Sequence, residues 1–127
     1  MRRLLAVLLF LFEPYLAATV LLRLAASLDT RDVPTYAALA VRVLLAIASV
    51  IAAMALGNRR EGADRLASLV LTGSAAFAVL QLVTRALPTS VPPDLAPVLT
   101  AVIVVHHLAW VGFLRFSGNR QDNLSDV

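Results

Sequence analysis

The chain has 127 residues, of which 60% are hydrophobic, and its formal net charge is +3 at pH 7. Soluble domains are only about 45–50% apolar, and a water-soluble fold of this length has too little interior to bury so much apolar surface. The composition therefore excludes a soluble enzyme or a soluble binding domain and predicts a membrane protein. Cysteine is absent, which excludes disulfides, thiolate catalysis and thiolate metal sites.

Four continuous apolar stretches predict four transmembrane helices, because each is about 20 residues long and shows no strand-like alternation. We expect an all-α membrane protein, a single-domain antiparallel bundle whose short connections reverse the direction of each helix. Asp29 to Pro34 supply the first connection, Gly57 to Gly62 form a tight polar turn, and Pro88, Pro92 and Pro93 break the chain before the last helix. The predicted helices span about 4–24, 35–56, 64–87 and 95–116, followed by a polar tail at 117–127.

The first predicted helix carries a carboxylate, Glu13, followed directly by Pro14. An acidic side chain at the centre of a bilayer costs about 2.5–3.5 kcal/mol on insertion scales, so it requires a partner, a proton or a function. Pro14 removes one backbone hydrogen bond, which predicts a helix kink. An alternative is a cleaved signal peptide, since Arg2 and Arg3 precede the apolar run. The run continues to Leu22, longer than a usual signal core, which favours a retained helix.

The second and third predicted helices each contain one polar residue at depth, Arg42 and Gln81. They also contain small residues four positions apart, which allow helix backbones to approach closely. This spacing predicts packing within the chain or between chains without distinguishing the two. The small residues concerned are Ala48, Ala52, Ala53 and Gly57 on the second helix and Gly73 and Ala76 on the third.

The fourth predicted helix contains His106 and His107, which point about 100° apart and cannot both face one metal. Counting about 1.5 Å per residue places Glu13 and His106 about 15 Å from the inner surface, and Arg42 and Gln81 about 22 Å from it. All four helices thus contribute to one polar layer. One interpretation is a proton relay that uses Glu13 and a histidine. The other is structural, with ion pairs and hydrogen bonds holding the helices together.

The eleven basic residues are all arginines, and seven of them lie on one side of the predicted membrane. The opposite side holds Arg23, Arg31 and Arg85, and Arg42 lies within a helix. Because positive residues favour the cytoplasmic side, we expect a multi-pass protein of the bacterial inner membrane with both termini in the cytoplasm. The arginines are not interleaved with aromatics as in a nucleic-acid groove, so no nucleic-acid partner is expected.

The end of the fourth helix carries Trp110, Phe113 and Ser117, followed by Arg120. This spacing resembles the closing signature of an uncharacterised family of small four-helix bacterial inner-membrane proteins, and the resemblance implies a fold and no activity. Gly118 and Asn119 stand where that family has basic residues.

Size, helix count and Glu13 are also similar to small multidrug-resistance transporters, which would imply that Glu13 couples protons to cationic substrates. The aromatic and glycine motifs of that family are missing from the second and third helices, and Arg42 would repel a cation.

No phosphate-binding loop, nucleophile elbow or metalloprotease helix occurs in the chain, so we expect no enzymatic activity, no cofactor and no metal site. The leading hypothesis is a non-enzymatic accessory or interaction subunit, with the lipid bilayer around it and a second copy or a larger membrane protein as its partner. The alternative is a proton-coupled small-molecule transporter that uses Glu13. A haem or quinone anchor that uses a histidine is the third hypothesis.

Overall fold

The structure, a computed structural model, describes residues 1–25, 32–87 and 91–125, with the side chains of all these residues except 119 and 121–125. Within these ranges the chain forms four α-helices and no strand. Each helix is long and apolar enough to cross a membrane, so the predicted all-α four-helix membrane fold is confirmed. The helices are α1 Arg2–Leu24, α2 Val33–Gly57, α3 Ala63–Thr84 and α4 Ala96–Ser125.

Helix α1 continues unbroken through Pro14. Helix α2 begins with an Asp32 cap, whose carboxylate accepts hydrogen bonds from the backbone N–H of Thr35 at 3.4 Å and from its hydroxyl at 2.7 Å. Pro34 lies in the first turn, where its missing N–H costs no helical hydrogen bond. The predicted connection residues 29–31, and Pro88 of the predicted chain break, lie outside the described residues.

Helix α3 ends three residues earlier than predicted, at Thr84 rather than position 87. Arg85 adopts a left-handed conformation with φ of 50° and donates its N–H to the Gln81 carbonyl oxygen. The Gln81 side chain then accepts the N–H of Leu87 at 3.1 Å. The apolar pattern that continues to Leu87 reflects burial of that side chain after the helix has ended.

Helix α4 ends later than predicted, because it continues to Ser125 instead of stopping near position 116. The membrane-compatible part ends at Gly118, close to the predicted boundary. The polar residues that follow end the apolar span, but none of them is a proline that would interrupt the backbone hydrogen bonds. The predicted polar tail at 117–127 thus continues the helix as far as Ser125.

The main core lies at the end of the bundle that holds the N-terminus and the α2–α3 turn, called the terminal end below. Buried residues from all four helices meet there, including Leu5, Ala53, Ala67 and Leu114. Arg2 donates a hydrogen bond to Asp64 at 2.7 Å, which ties the start of α1 to the start of α3. These contacts place α1 and α3 parallel to each other, with α2 and α4 running in the opposite direction.

The opposite end of the bundle, called the distal end, is packed less completely. Helices adjacent in the chain pack along each other, α1 on α2, α2 on α3 and α3 on α4. A small second core of Leu24, Phe77 and Leu87 lies at this end. The Thr35 hydroxyl contacts the Ala86 carbonyl oxygen at 3.2 Å and so links the start of α2 to the segment after α3.

Four of the six small residues singled out for helix packing lie in or close to helix contacts, and two do not. Ala52 and Ala53 are buried in the terminal core, and Ala48 packs against it. Gly73 lies close to α2, since a Cβ atom placed on it would be 3.4 Å from a methyl group of Leu45. Gly57, at the end of α2, and Ala76, on α3, are both exposed, and a Cβ atom placed on Gly57 would meet no atom within 4 Å.

Candidate functional site

The buried carboxylate of α1 is paired with the arginine of α2. Glu13 is 2% exposed, and its Oε2 atom accepts a hydrogen bond from Arg42 Nη1 at 2.8 Å. An ion pair of this geometry leaves no net charge in the membrane interior, which lowers the cost of burying each group. The pair joins α1 to α2 and fulfils the predicted need of Glu13 for a partner.

An aromatic ring of α3 covers the same guanidinium. The Cζ atom of Arg42 lies 4.6 Å from the centre of the Phe77 ring, a cation–π contact. Such contacts contribute about 2 kcal/mol where both groups are desolvated. Arg42 therefore connects three helices: its own helix α2, α1 through Glu13 and α3 through Phe77.

Gln81, predicted to lie in the same polar layer, is half-buried and makes no hydrogen bond to Glu13 or Arg42. Its Oε1 atom accepts the N–H of Leu87, while its Nε2 atom is buried without a hydrogen-bond partner. Buried polar atoms of native proteins nearly always have a partner. An unpartnered donor at this position is therefore suited to a ligand acceptor.

The two histidines are in different environments, because neighbouring residues of a helix point about 100° apart. His107 is buried, donates Nδ1–H to the Ile103 carbonyl oxygen at 2.8 Å and packs edge-on against Phe12 of α1. His106 is exposed and accepts a hydrogen bond from Trp110 Nε1 at 3.1 Å. The prediction that His106 belongs to a buried polar network is therefore wrong.

A cavity of about 400 Å³ opens in the distal half of the bundle between α1, α3 and α4. Apolar side chains such as Leu16, Val20 and Ile103 form much of its wall. Three guanidinium-bearing residues and one amide also line it, namely Arg23, Arg42, Arg85 and Gln81. A volume of this size is within the usual range of small-molecule sites, about 300–1,000 Å³.

The cavity ends near the level of the Phe12–His107 contact. Tyr15 and Leu16 of α1 and Ile103 of α4 line its inner part, and Phe12 and His107 each lie one helical turn closer to the terminal end. Their rings are 5.7 Å apart and join α1 to α4. Neither histidine is among the lining residues, so the geometry offers no imidazole to a ligand in this cavity.

The structure therefore brings Glu13, Arg42 and Gln81 to one region, in which Arg42 and Gln81 line the cavity and Glu13 does not. It separates His106 from them. Among the described residues no group of three or more His, Asp or Glu side chains is placed to hold a metal ion.

Sequence reasoning missed the roles of Arg23, Arg85 and Phe77. The two arginines served only to assign orientation, although their positions at the distal ends of α1 and α3 place them at one level. Phe77 precedes Gln81 by one helical turn and follows Gly73 by another, so these three residues share a helix face. This shared helix face is the feature of the sequence that could have identified Phe77.

Comparison of the chain with protein-family models, with curated proteins and with solved structures finds no match. The two resemblances drawn from the sequence thus stay hypotheses. The residues of the closing signature do form a local unit: the Trp110 and Phe113 rings are 5.7 Å apart, and the Ser117 hydroxyl donates to the Phe113 carbonyl oxygen at 3.0 Å.

Proposed function

We propose that this chain is a non-enzymatic accessory protein of the bacterial inner membrane, multi-pass with both termini cytoplasmic, that acts by binding. The observation that carries the proposal is the Glu13–Arg42 ion pair. A carboxylate that couples transport must exchange its proton during the cycle, whereas this carboxylate is buried and bound to a guanidinium that never loses its charge. Its role in the bundle is to join α1 to α2.

The outer surface of α4 supports an interaction role. This helix packs mainly on α3, and Val98, Val102 and Val105 form an exposed apolar stripe at helical spacing. In the membrane this stripe faces lipid or a second protein, either another copy of the chain or a larger membrane protein. Helices of such partners associate through side-chain packing, since lipid tails are equally apolar.

Affinity purification in mild detergent, followed by size-exclusion chromatography and mass spectrometry, tests the accessory role. We expect one stoichiometric complex, which Val102→Trp weakens because the large ring prevents close packing on α4. Val83→Trp is the matched control, since Val83 is also exposed but lies on α3. A protein that elutes as a lone monomer, or a complex unaffected by both changes, would contradict this role.

The second candidate is the proton-coupled transporter, and one observation favours it. Arg42 lines the cavity and also binds Glu13, which is not a lining residue. A ligand that reached Arg42 would therefore compete with the Glu13 carboxylate. Proteoliposomes with internal pyranine, an imposed pH gradient and external ethidium distinguish the two functions. The accessory role predicts proton flux equal to that of protein-free liposomes, whereas flux that Glu13→Gln abolishes would establish the transporter.

A further inference from the structure

The distal cavity carries positive charge without a counter-charge on its wall. Arg23 and Arg85 line it from α1 and α3, and the described part of the chain offers neither of them an ion pair. Among the described residues that line the cavity no side chain is a carboxylate. Its wall therefore attracts an anion and repels a cation.

Hydrogen-bond donors in this cavity also lack acceptors. The Nε2 atom of Gln81 is buried and unpartnered, and guanidinium groups are donors only. Because Gln81 precedes Arg85 by one helical turn, its amide lies on the inner side of that arginine. The cavity thus presents several donors to any oxygen atoms that enter from the distal end.

Most of the wall that lies deeper in the membrane is apolar, although Tyr15, Thr19 and Thr100 also line the cavity. Leu16 and Val20 of α1 face Leu99 and Ile103 of α4 across the cavity. A ligand that satisfied the whole cavity would carry an anionic head near Arg23 and Arg85 and a hydrocarbon tail along these four side chains. The cavity volume of about 400 Å³ accommodates a small amphiphile of this kind.

We propose that the distal cavity between α1, α3 and α4 binds the phosphate or carboxylate head of an anionic amphiphile, with Arg23, Arg85 and Gln81 as its donors. The proposal is independent of the accessory role. It requires no release of Glu13 from Arg42, because none of the three donors binds Glu13 and Glu13 does not line the cavity.

Native mass spectrometry of the full-length protein, released from zwitterionic detergent, tests the proposal with four probes. Dodecyl phosphate and dodecanoate represent free amphiphiles, phosphatidylglycerol represents a membrane lipid, and dodecyltrimethylammonium supplies the same tail with a positive head. We expect the anionic probes to be retained and the cationic probe to be lost. Retention of phosphatidylglycerol alone would assign the site to a lipid headgroup, and retention of the free amphiphiles alone to a solute.

Variants of the donors locate the site. Arg23→Gln combined with Arg85→Gly should weaken retention about tenfold or more, as expected for the loss of charge-assisted hydrogen bonds. Glycine suits position 85 because the backbone there is left-handed. Gln81→Glu is a second variant that keeps the acceptor for Leu87 N–H but adds a negative charge, and it should weaken retention by a similar factor.

The matched control is Arg59→Gln, which removes an exposed arginine from the α2–α3 turn at the terminal end. This control should retain the anionic probes as well as the unchanged protein does. Equal retention of dodecyltrimethylammonium would overturn the proposal. Unchanged retention in both donor variants would also overturn it, and thermal unfolding without ligand shows whether each variant is folded.

Discussion

At the scale of single residues, most of what the sequence predicted about the site came from the charged residues within the apolar helices. Glu13 required a partner, the sequence left Arg42 and a histidine as candidates, and the structure has Arg42 in that place. What the sequence could not specify is the third contact, the Phe77 ring over the guanidinium. Ring placement depends on how α3 rotates against α2, and the apolar pattern of α3 admits several rotations because polar residues are few on every face.

The sequence also could not show which of the two histidines is buried. Their 100° separation shows that one of them must face away, but both have equally apolar neighbours. Packing against Phe12 selects His107 for the interior, and this contact depends on the relative height of α1 and α4.

Gln81 provides a prediction at this scale. Gln81→Met keeps the length of the side chain but removes the acceptor for the Leu87 N–H. A buried donor left without a partner costs about 1–3 kcal/mol, so we expect a lower unfolding temperature in detergent. Leu80→Met, at an exposed position of the same helix, is the control for introducing methionine. Equal unfolding temperatures for Gln81→Met and the unchanged protein would show that the hydrogen bond is not needed.

At the scale of helices, length and hydropathy predicted the spans well and their ends less well. Arg85 ends α3 in a left-handed conformation that is uncommon for a residue other than glycine, so no local signal marked the position. The extension of α4 to Ser125 was missed because polarity marks the end of a membrane span and not the end of a helix.

The packing of α2 against its neighbours gives a prediction at this scale. Ala52 has no exposed surface and lies in the terminal core, so Ala52→Leu should overpack that core and destabilise the fold by about 1–3 kcal/mol. Ala76→Leu is the matched control, because Ala76 is exposed on α3. Thermal unfolding of both variants in the same detergent measures the difference in stability. Comparable losses of stability would contradict the placement of Ala52 in the core and of Ala76 on the outer surface.

At the scale of the whole molecule, the structure is that of a multi-pass membrane protein whose terminal end is closed and whose distal half contains a cavity. The sequence predicted the number and direction of the helices, because apolar length and short connections allow few alternatives. The cavity could not be predicted, since its lining depends on how residues of all four helices are placed against each other.

Orientation is the prediction that belongs to this scale. Because the chain has no native cysteine, single cysteines can be placed at Glu61 in the α2–α3 turn and at Asp94 before α4, both of which are exposed. In intact spheroplasts a membrane-impermeant maleimide should label Asp94→Cys and should reach Glu61→Cys only after lysis. The opposite labelling would show that the arginine bias has been read in the wrong direction.

The central claim is that Glu13 and Arg42 form one structural unit in the membrane. A double-mutant cycle of thermal unfolding with Glu13→Gln, Arg42→Gln and the combined variant tests it most directly. Each single change leaves a buried charge unpaired and should cost about 3–5 kcal/mol, whereas the combined variant should recover most of that loss. Independent effects that simply add in the combined variant would contradict the claim.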